Sequence, residues 1–144
     1  MTHSSSSLDQ ENSGRSESVG HDIRPVVTPC ARNLTTALES FEDVYCPRIV
    51  CRVNDCDVRI AHTRGDYVWH VHEDTDEFFL VLAGQFEVSL QDGNGRQTVI
   101  SMRQNDTFVV PRGIEHKPSS PGGSILIFEL SSTLPKGRSA QAYR

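Results

Sequence analysis

Four side chains constrain this chain more than anything else in it. His70, His72 and Glu77 form a His-x-His-x4-Glu array within GDYVWHVHEDTDEFFLVLAG, and His116 ends the stretch PRGIEH far along the chain. Two histidines at i and i+2 on a strand point to the same face, because strand side chains alternate. The residues between His72 and Glu77 (Glu73, Asp74, Thr75, Asp76) are polar and read as a turn. The chain can therefore reverse and set Glu77 beside the two imidazoles. Only a closed sheet brings His116 to the same place. Imidazole and carboxylate donors suit Fe, Mn, Ni, Co or Zn. The array thus predicts one divalent metal ion inside a small β-barrel, held by His70, His72, Glu77 and His116. On an octahedral ion that set leaves two positions open for substrate, water or dioxygen.

The rest of the sequence predicts scaffold for such a site. The chain has 144 residues, enough for one domain with a hydrophobic core and no disulfide staples. The formal charge of −5 and the lack of a Lys/Arg face disfavour nucleic acid as a partner. No apolar run is long enough to span a bilayer, and the N-terminus carries no apolar signal segment. These features predict a soluble, cytoplasmic protein. Of the four cysteines, Cys30, Cys46, Cys51 and Cys56, none forms C-x-x-C, so reduced thiols are expected. Cys51 shares the phase of Ile49 and Val53 and reads as a small buried hydrophobe.

Residues 1–24 are Ser-rich and almost free of apolar side chains, which predicts a disordered tail. The barrel is expected over 25–132 and a flexible tail over 133–144. Pro25 to Pro29 reads as extended. Asn33 caps a short helix, Leu34 to Phe41, whose Leu34, Leu38 and Phe41 form one apolar stripe for docking on the barrel.

Beyond Pro47 the period becomes two. Arg48 to Asn54 and Asp57 to Thr63 read as strands with one buried face. In the second, Val58, Ile60 and His62 take the inward phase, with Asp57, Arg59 and Ala61 opposite. Tyr67 to Val71 and Glu77 to Ala83 follow. The latter is apolar on both faces, which predicts cover on both sides, including contact with a partner chain. Gly84 marks a sharp bend, Asp92-Gly93-Asn94-Gly95 a hairpin, and Ser119 to Gly123 a loop before a last strand, Ser124 to Leu130. Short strands at turn spacing with one early helix predict an all-β fold, an antiparallel jelly-roll barrel with one short N-terminal helix.

The two stretches resemble the paired motifs of the cupin superfamily, G-x5-H-x-H-x3,4-E-x6-G and G-x5-P-x-G-x2-H-x3-N. His70, His72, Glu77 and Gly84 match the first motif with the four-residue spacer. Gly65 lies one residue nearer His70 than the motif states. Pro111, Gly113 and His116 match the second, with Asn105 at its opening Gly and Ser120 at its closing Asn. Asn tolerates positive φ better than most residues. The similarity extends over Asn33 to Leu130, through PRIVCRVN and FVVPRGIEHKP, to small single-domain cupins often labelled mannose-6-phosphate isomerase-like. It implies the same four residues as metal ligands and a homodimer.

Fold and ligands do not choose the reaction. The leading expectation is a non-haem Fe(II) oxidoreductase or dioxygenase acting on a small phenolic, keto or polyketide-like substrate, with Tyr67, Phe79, Phe86 and Phe128 as aromatic lining. An alternative is a non-redox isomerase, lyase or polyketide cyclase using the metal as a Lewis acid, with His62, Tyr67 or Glu115 as a separate general base. Another alternative is a non-catalytic small-ligand-binding barrel. A sugar phosphate is disfavoured, because Arg52, Arg59, Arg64 and Arg112 are scattered and strand phase turns Arg52 and Arg59 outward.

Overall fold

The computed structural model of the protein describes residues 30–133 and 138–139. The expected Ser-rich tail and the extended Pro25–Pro29 segment lie outside the described residues. The described residues from Ala31 onward belong to one unit.

The fold is an antiparallel β-barrel of the jelly-roll kind preceded by one short helix. Helix α1 spans Leu34–Glu39, two residues shorter than its apolar stripe suggested. Asn33 caps it by accepting from the Thr36 amide, which satisfies one of the free amides of the first turn. The strands are β1 (Arg48–Val53), β2 (Cys56–Asp66), β3 (His70–Val71), β4 (Glu77–Gln91), β5 (Gln97–Arg103), β6 (Thr107–Val110), β7 (Glu115–Leu130) and β8 (Arg138–Ser139). They join in the order β1-β2-β7-β3-β8, and β4 pairs with β5, β6 and β7. Among the described residues no helix is long and apolar enough to cross a membrane.

Three long strands replace the many short ones. β7 runs unbroken for 16 residues through Ser119 to Gly123, the segment expected to be a loop. β4 runs for 15 residues through Gly84, the expected bend. Register shifts between Val81 and Ala83, and between Gln85 and Glu87, let β4 coil along β7 without a break. Gly84 is needed for approach as well as for conformation. Its φ is +75°, and a Cβ there would lie 2.1 Å from the Gly122 carbonyl oxygen. Asn105, which stands where the motif has Gly, adopts φ +72°. Ser120, in place of the motif's Asn, donates to the Gln85 carbonyl and accepts from Thr63 and the Gly122 amide. Both departures are thus absorbed locally.

The core is Ala61, Phe79, Val81, Phe86, Val88, Met102, Val110, Ile125 and Ile127. Each such aromatic or aliphatic side chain adds roughly 1.5–3 kcal/mol on burial. On β2 the phase is the reverse of that expected. Asp57, Arg59, Ala61 and Thr63 face the barrel interior, and His62 faces α1. The apolar count misleads here because charged residues go inside when they neutralise one another. Arg59 bonds Asp57 at 3.0 Å and Glu129 at 2.8 Å. Arg59, expected to point outward, is therefore buried. β1 is an edge strand, and its Ile49 and Val53 are 55% and 47% exposed. Cys51, expected to be buried, is exposed on the same strand and unpaired, as is Cys46.

Candidate metal centre

His70, His72, Glu77 and His116 meet inside the barrel, and one donor atom from each lies within 4.8 Å of all the others. All four are buried. The topology makes the meeting. His70 on β3 is the direct strand partner of His116 on β7. His116 is also the partner of Leu90 on β4, so it stands between the strand that carries His70 and the strand that carries Glu77. The turn before it is tied to the first motif: the Gly113 amide donates to the His72 carbonyl at 2.8 Å, and the Arg112 amide to Asp76 at 2.9 Å. The two motifs are one hydrogen-bonded unit.

The donors are aimed. His70 Nδ1–H donates to the Val68 carbonyl at 2.8 Å, and His116 Nδ1–H to the Ile114 carbonyl at 2.9 Å. Such anchoring fixes ring and tautomer and leaves Nε2 as a free lone pair. His116 Nε2 then faces Glu77 Oε2 at 2.9 Å, and His72 Nε2 faces the same oxygen at 3.4 Å. His72 Nε2 is buried without a hydrogen-bond partner. Lone pairs at these separations repel unless a proton or a cation lies between them. The cluster can hold a metal ion, and its donor set fits one.

The electrostatics agree. Burial, with the nearby His116, pulls the His70 pKa down to about 4, so this imidazole is neutral. Burial also works against protonation of His72, but Glu77 outweighs it and raises that pKa. Burial pushes Glu77 upward, yet His116 and His72 hold its carboxyl well below the usual range. Glu129 behaves in the opposite way. Burial and the charge of Glu77 push its carboxyl up to about 7.

A narrow pocket opens onto His70 and Glu77, has about 30 Å³ of room inside, and is lined by Tyr45, Ala61, Tyr67, Phe79, Ile125 and Ile127 among others. Among the described residues neither Lys nor Arg lines it. Tyr67 stands edge-on to His70 at 5.5 Å, and Tyr45 stacks on Tyr67 at 5.0 Å. Tyr45 was not foreseen. It sits at φ +52° in a loop without motif and donates to the Gly65 carbonyl at 2.6 Å. Only the closed fold reveals it.

The other expected groups lie elsewhere. His62 Nε2 is 2.9 Å from both the Leu38 and Phe41 carbonyls, so it fastens α1 to β2 on the outside. Glu115 opens β7, half-buried, next to His116 but in the opposite strand phase. Of the three base candidates, only Tyr67 lines the pocket. Of the expected aromatic lining, Phe79 is in place, and Phe86 packs behind it at 5.2 Å. Phe128 is the strand partner of Phe78 and lines a groove on the outer face instead.

Comparison with known proteins agrees with this architecture. The cupin domain family matches residues 57–131. The chain belongs to the cupin family. It is 32% identical over 89 residues to the uncharacterized protein YdbB of Bacillus subtilis, a match spanning 62% of this chain and 75% of YdbB. It resembles a cupin-2 domain protein of Shewanella frigidimarina with 30% identity and a TM-score of 0.63, over 68% of this chain and 92% of that one. A hydroquinone 1,2-dioxygenase from Sphingomonas sp., solved with 4-nitrophenol, superposes with a TM-score of 0.64 at 23% identity, over 74% of this cupin and 33% of that chain. That last likeness is one of fold.

Proposed function

We propose that this cupin is a small non-haem Fe(II) oxidoreductase of dioxygenase type, acting on an uncharged organic substrate with an oxygen donor, such as a phenol, keto compound or polyketide-like molecule. One observation carries the reading: a buried three-His, one-Glu cluster opens onto an apolar, aromatic-lined pocket to which no described Lys or Arg contributes. Two His and one carboxylate with open positions are the ligand set of many non-haem iron oxygenases, and the cluster contains that set with one further His. The same fold in a dioxygenase bound to a phenolic ligand supports the substrate class.

His70, His72, Glu77 and His116 would hold the ion, which would supply a binding point for dioxygen and for the substrate oxygen. The chain's own residues do the rest. Val68 and Ile114 carbonyls hold His70 and His116 in the ligating tautomer. Ala61, Phe79, Ile125 and Ile127 exclude water from the reacting centre. The tyrosines at the mouth present faces and edges to a flat substrate. A sugar phosphate fits poorly, since the buried Arg59 is spent on Asp57 and Glu129.

A second reading has its own support. Tyr67 stands beside His70 in the pocket, and burial together with the charge of Glu77 raises its pKa. A protonated phenol there suits general-acid work in a metal-dependent isomerase, lyase or cyclase. Metal analysis of protein purified without an affinity tag, followed by anaerobic ferrous loading and exposure to dioxygen with a panel of phenols, uncharged keto compounds and polyketide-like molecules, separates the two. Substrate-dependent oxygen uptake supports the dioxygenase. Bound zinc, nickel or manganese with no uptake selects the non-redox reading. No metal under any loading refutes both.

The outer face of β6, β4 and β7 carries Val109, Phe78 and Phe128 in an open groove, and Val109 is 45% exposed. A second copy of the chain covering this apolar face would make the protein a homodimer. Light scattering on the native protein and on Val109→Glu tests it, the variant being expected as monomer.

A further inference from the structure

The sequence drew attention to one buried carboxylate, Glu77, but the barrel interior holds three in a row. On β2 and β7, Asp57 is the strand partner of Glu129. On β4 and β7, Phe78 partners Phe128, so Glu77 and Glu129 occupy the next rung together. Asp57, Glu129 and Glu77 thus lie side by side on three neighbouring strands, and are 1%, 4% and 5% exposed. Arg59 is the buried guanidinium among them, bonded to Asp57 and to Glu129 Oε1. Arg52 reaches Asp57 from outside at 2.8 Å, and Ser131 donates to the same carboxylate. Asp57 is therefore fully satisfied. Glu129 is not: its Oε2 is buried with no hydrogen-bond partner.

A buried carboxylate oxygen without a partner is costly, and so is a third buried acid for one guanidinium. The same interior contains one other orphaned polar atom among the described residues, Nε2 of His72. The apolar pocket touches His70 and Glu77, whereas neither His72 nor Glu129 lines it. The cluster thus has a substrate side, made of aromatic and aliphatic residues, and a buried ionic side, made of Arg59, Asp57 and Glu129.

We propose that Glu129 is a positioning residue for the metal centre: Arg59 anchors one of its oxygens, and the other supplies negative charge beside the ligand carboxylate of Glu77, its neighbour on the adjoining strand, when a divalent cation occupies the cluster. This rests on the metal-binding reading above. A cation there offsets the acid that Arg59 leaves unbalanced, and the outer partners of metal ligands change metal affinity by about 10- to 100-fold.

The test is Co(II) titration of the untagged wild-type protein, Glu129→Gln and Asp57→Asn, read by chelator competition and by the visible d–d absorption of the bound ion, with apoprotein melting as a control for folding. Glu129→Gln is expected to bind Co(II) about 10- to 100-fold more weakly and to shift the d–d bands. Asp57→Asn disturbs the same Arg59 network and is expected to keep wild-type affinity and spectrum. A Glu129→Gln protein with wild-type affinity and bands overturns the proposal and leaves the metal centre standing. Equal losses in both variants overturn it too, because the effect is then one of fold. If Glu129→Gln does not fold, Glu129→Asp, which keeps the charge but withdraws it, is expected to weaken binding, and unchanged binding overturns the proposal. A wild-type protein that takes up no Co(II) refutes the centre and this inference together.

Discussion

His116 Nε2 and Glu77 Oε2, 39 residues apart in sequence, stand 2.9 Å from each other in the barrel interior. His72 Nε2 approaches the same oxygen at 3.4 Å. One carboxylate oxygen therefore serves two imidazoles, and all three are aimed at a common point.

Removing that carboxylate removes the anion of the set. Glu77→Ala and His72→Ala should each cut bound metal from about one ion per chain by more than tenfold, with little change in the circular dichroism of the apoprotein. Elemental analysis after dialysis checks both. Full metal retention in both variants would mean that another set of ligands is at work.

The pH dependence of metal binding has a definite sign. Metal needs neutral imidazoles and releases their protons. His70 has its pKa pulled down to about 4, so it offers no proton competition near neutrality. The His72 pKa is raised above the ordinary histidine value. Affinity should therefore begin to fall above the ordinary histidine value and go on falling as the pH drops through it, by up to about tenfold per pH unit for each protonated ligand. Titrations between pH 5.5 and 8 measure it. A pH-independent affinity would exclude His72 from the ligand set.

The site was more legible than the fold around it. His70, His72, Glu77 and His116 were readable because their chemistry is rare and their spacing fixed. The barrel was readable from period two and turn residues. What failed was phase and length. On β2 a count of apolar residues favours Val58, Ile60 and His62 as the inner face, yet Asp57 and Arg59 turn inward because Glu129, some 70 residues on, completes their charge balance. A long-range ion pair leaves no local trace. Ser119 to Gly123 carries turn residues yet stays in β7, since Gly84 and Gly123 let two strands touch closely. Tyr45 reaches the pocket mouth only through the bridge of Val44 to His62.

The buried network makes a further stability prediction. Arg59 has 8% of its side chain exposed and holds two buried carboxylates. Arg59→Ala would leave both acids without their common partner. Breaking a buried pair in this way costs about 3–5 kcal/mol. Urea denaturation should show a loss of that order, larger than for Arg112→Ala, whose pair with Asp76 lies on the surface with side chains 63% and 50% exposed.

Gly84 gives the most local test of the barrel. Its φ of +75° lies in the left-handed region, where a side chain costs about 1–2 kcal/mol. A Cβ there would also fall 2.1 Å from the Gly122 carbonyl oxygen and 2.8 Å from the Gly123 Cα. Both neighbours are backbone, so neither can swing aside as a side chain would. β4 and β7 would have to separate where they run together, between the half of β7 that carries His116 and the half that packs on Phe79. Gly84→Ala should therefore lower the melting temperature sharply and weaken metal binding as well, although residue 84 touches no ligand. Gly95→Ala has a similar φ of +79° but open space around its Cβ. It should show the smaller, purely conformational loss and bind metal as the wild type does. Melting and metal uptake measured on the pair separate strand approach from backbone strain. Equal behaviour of the two variants would show that the β4–β7 contact at Gly84 has room to relax.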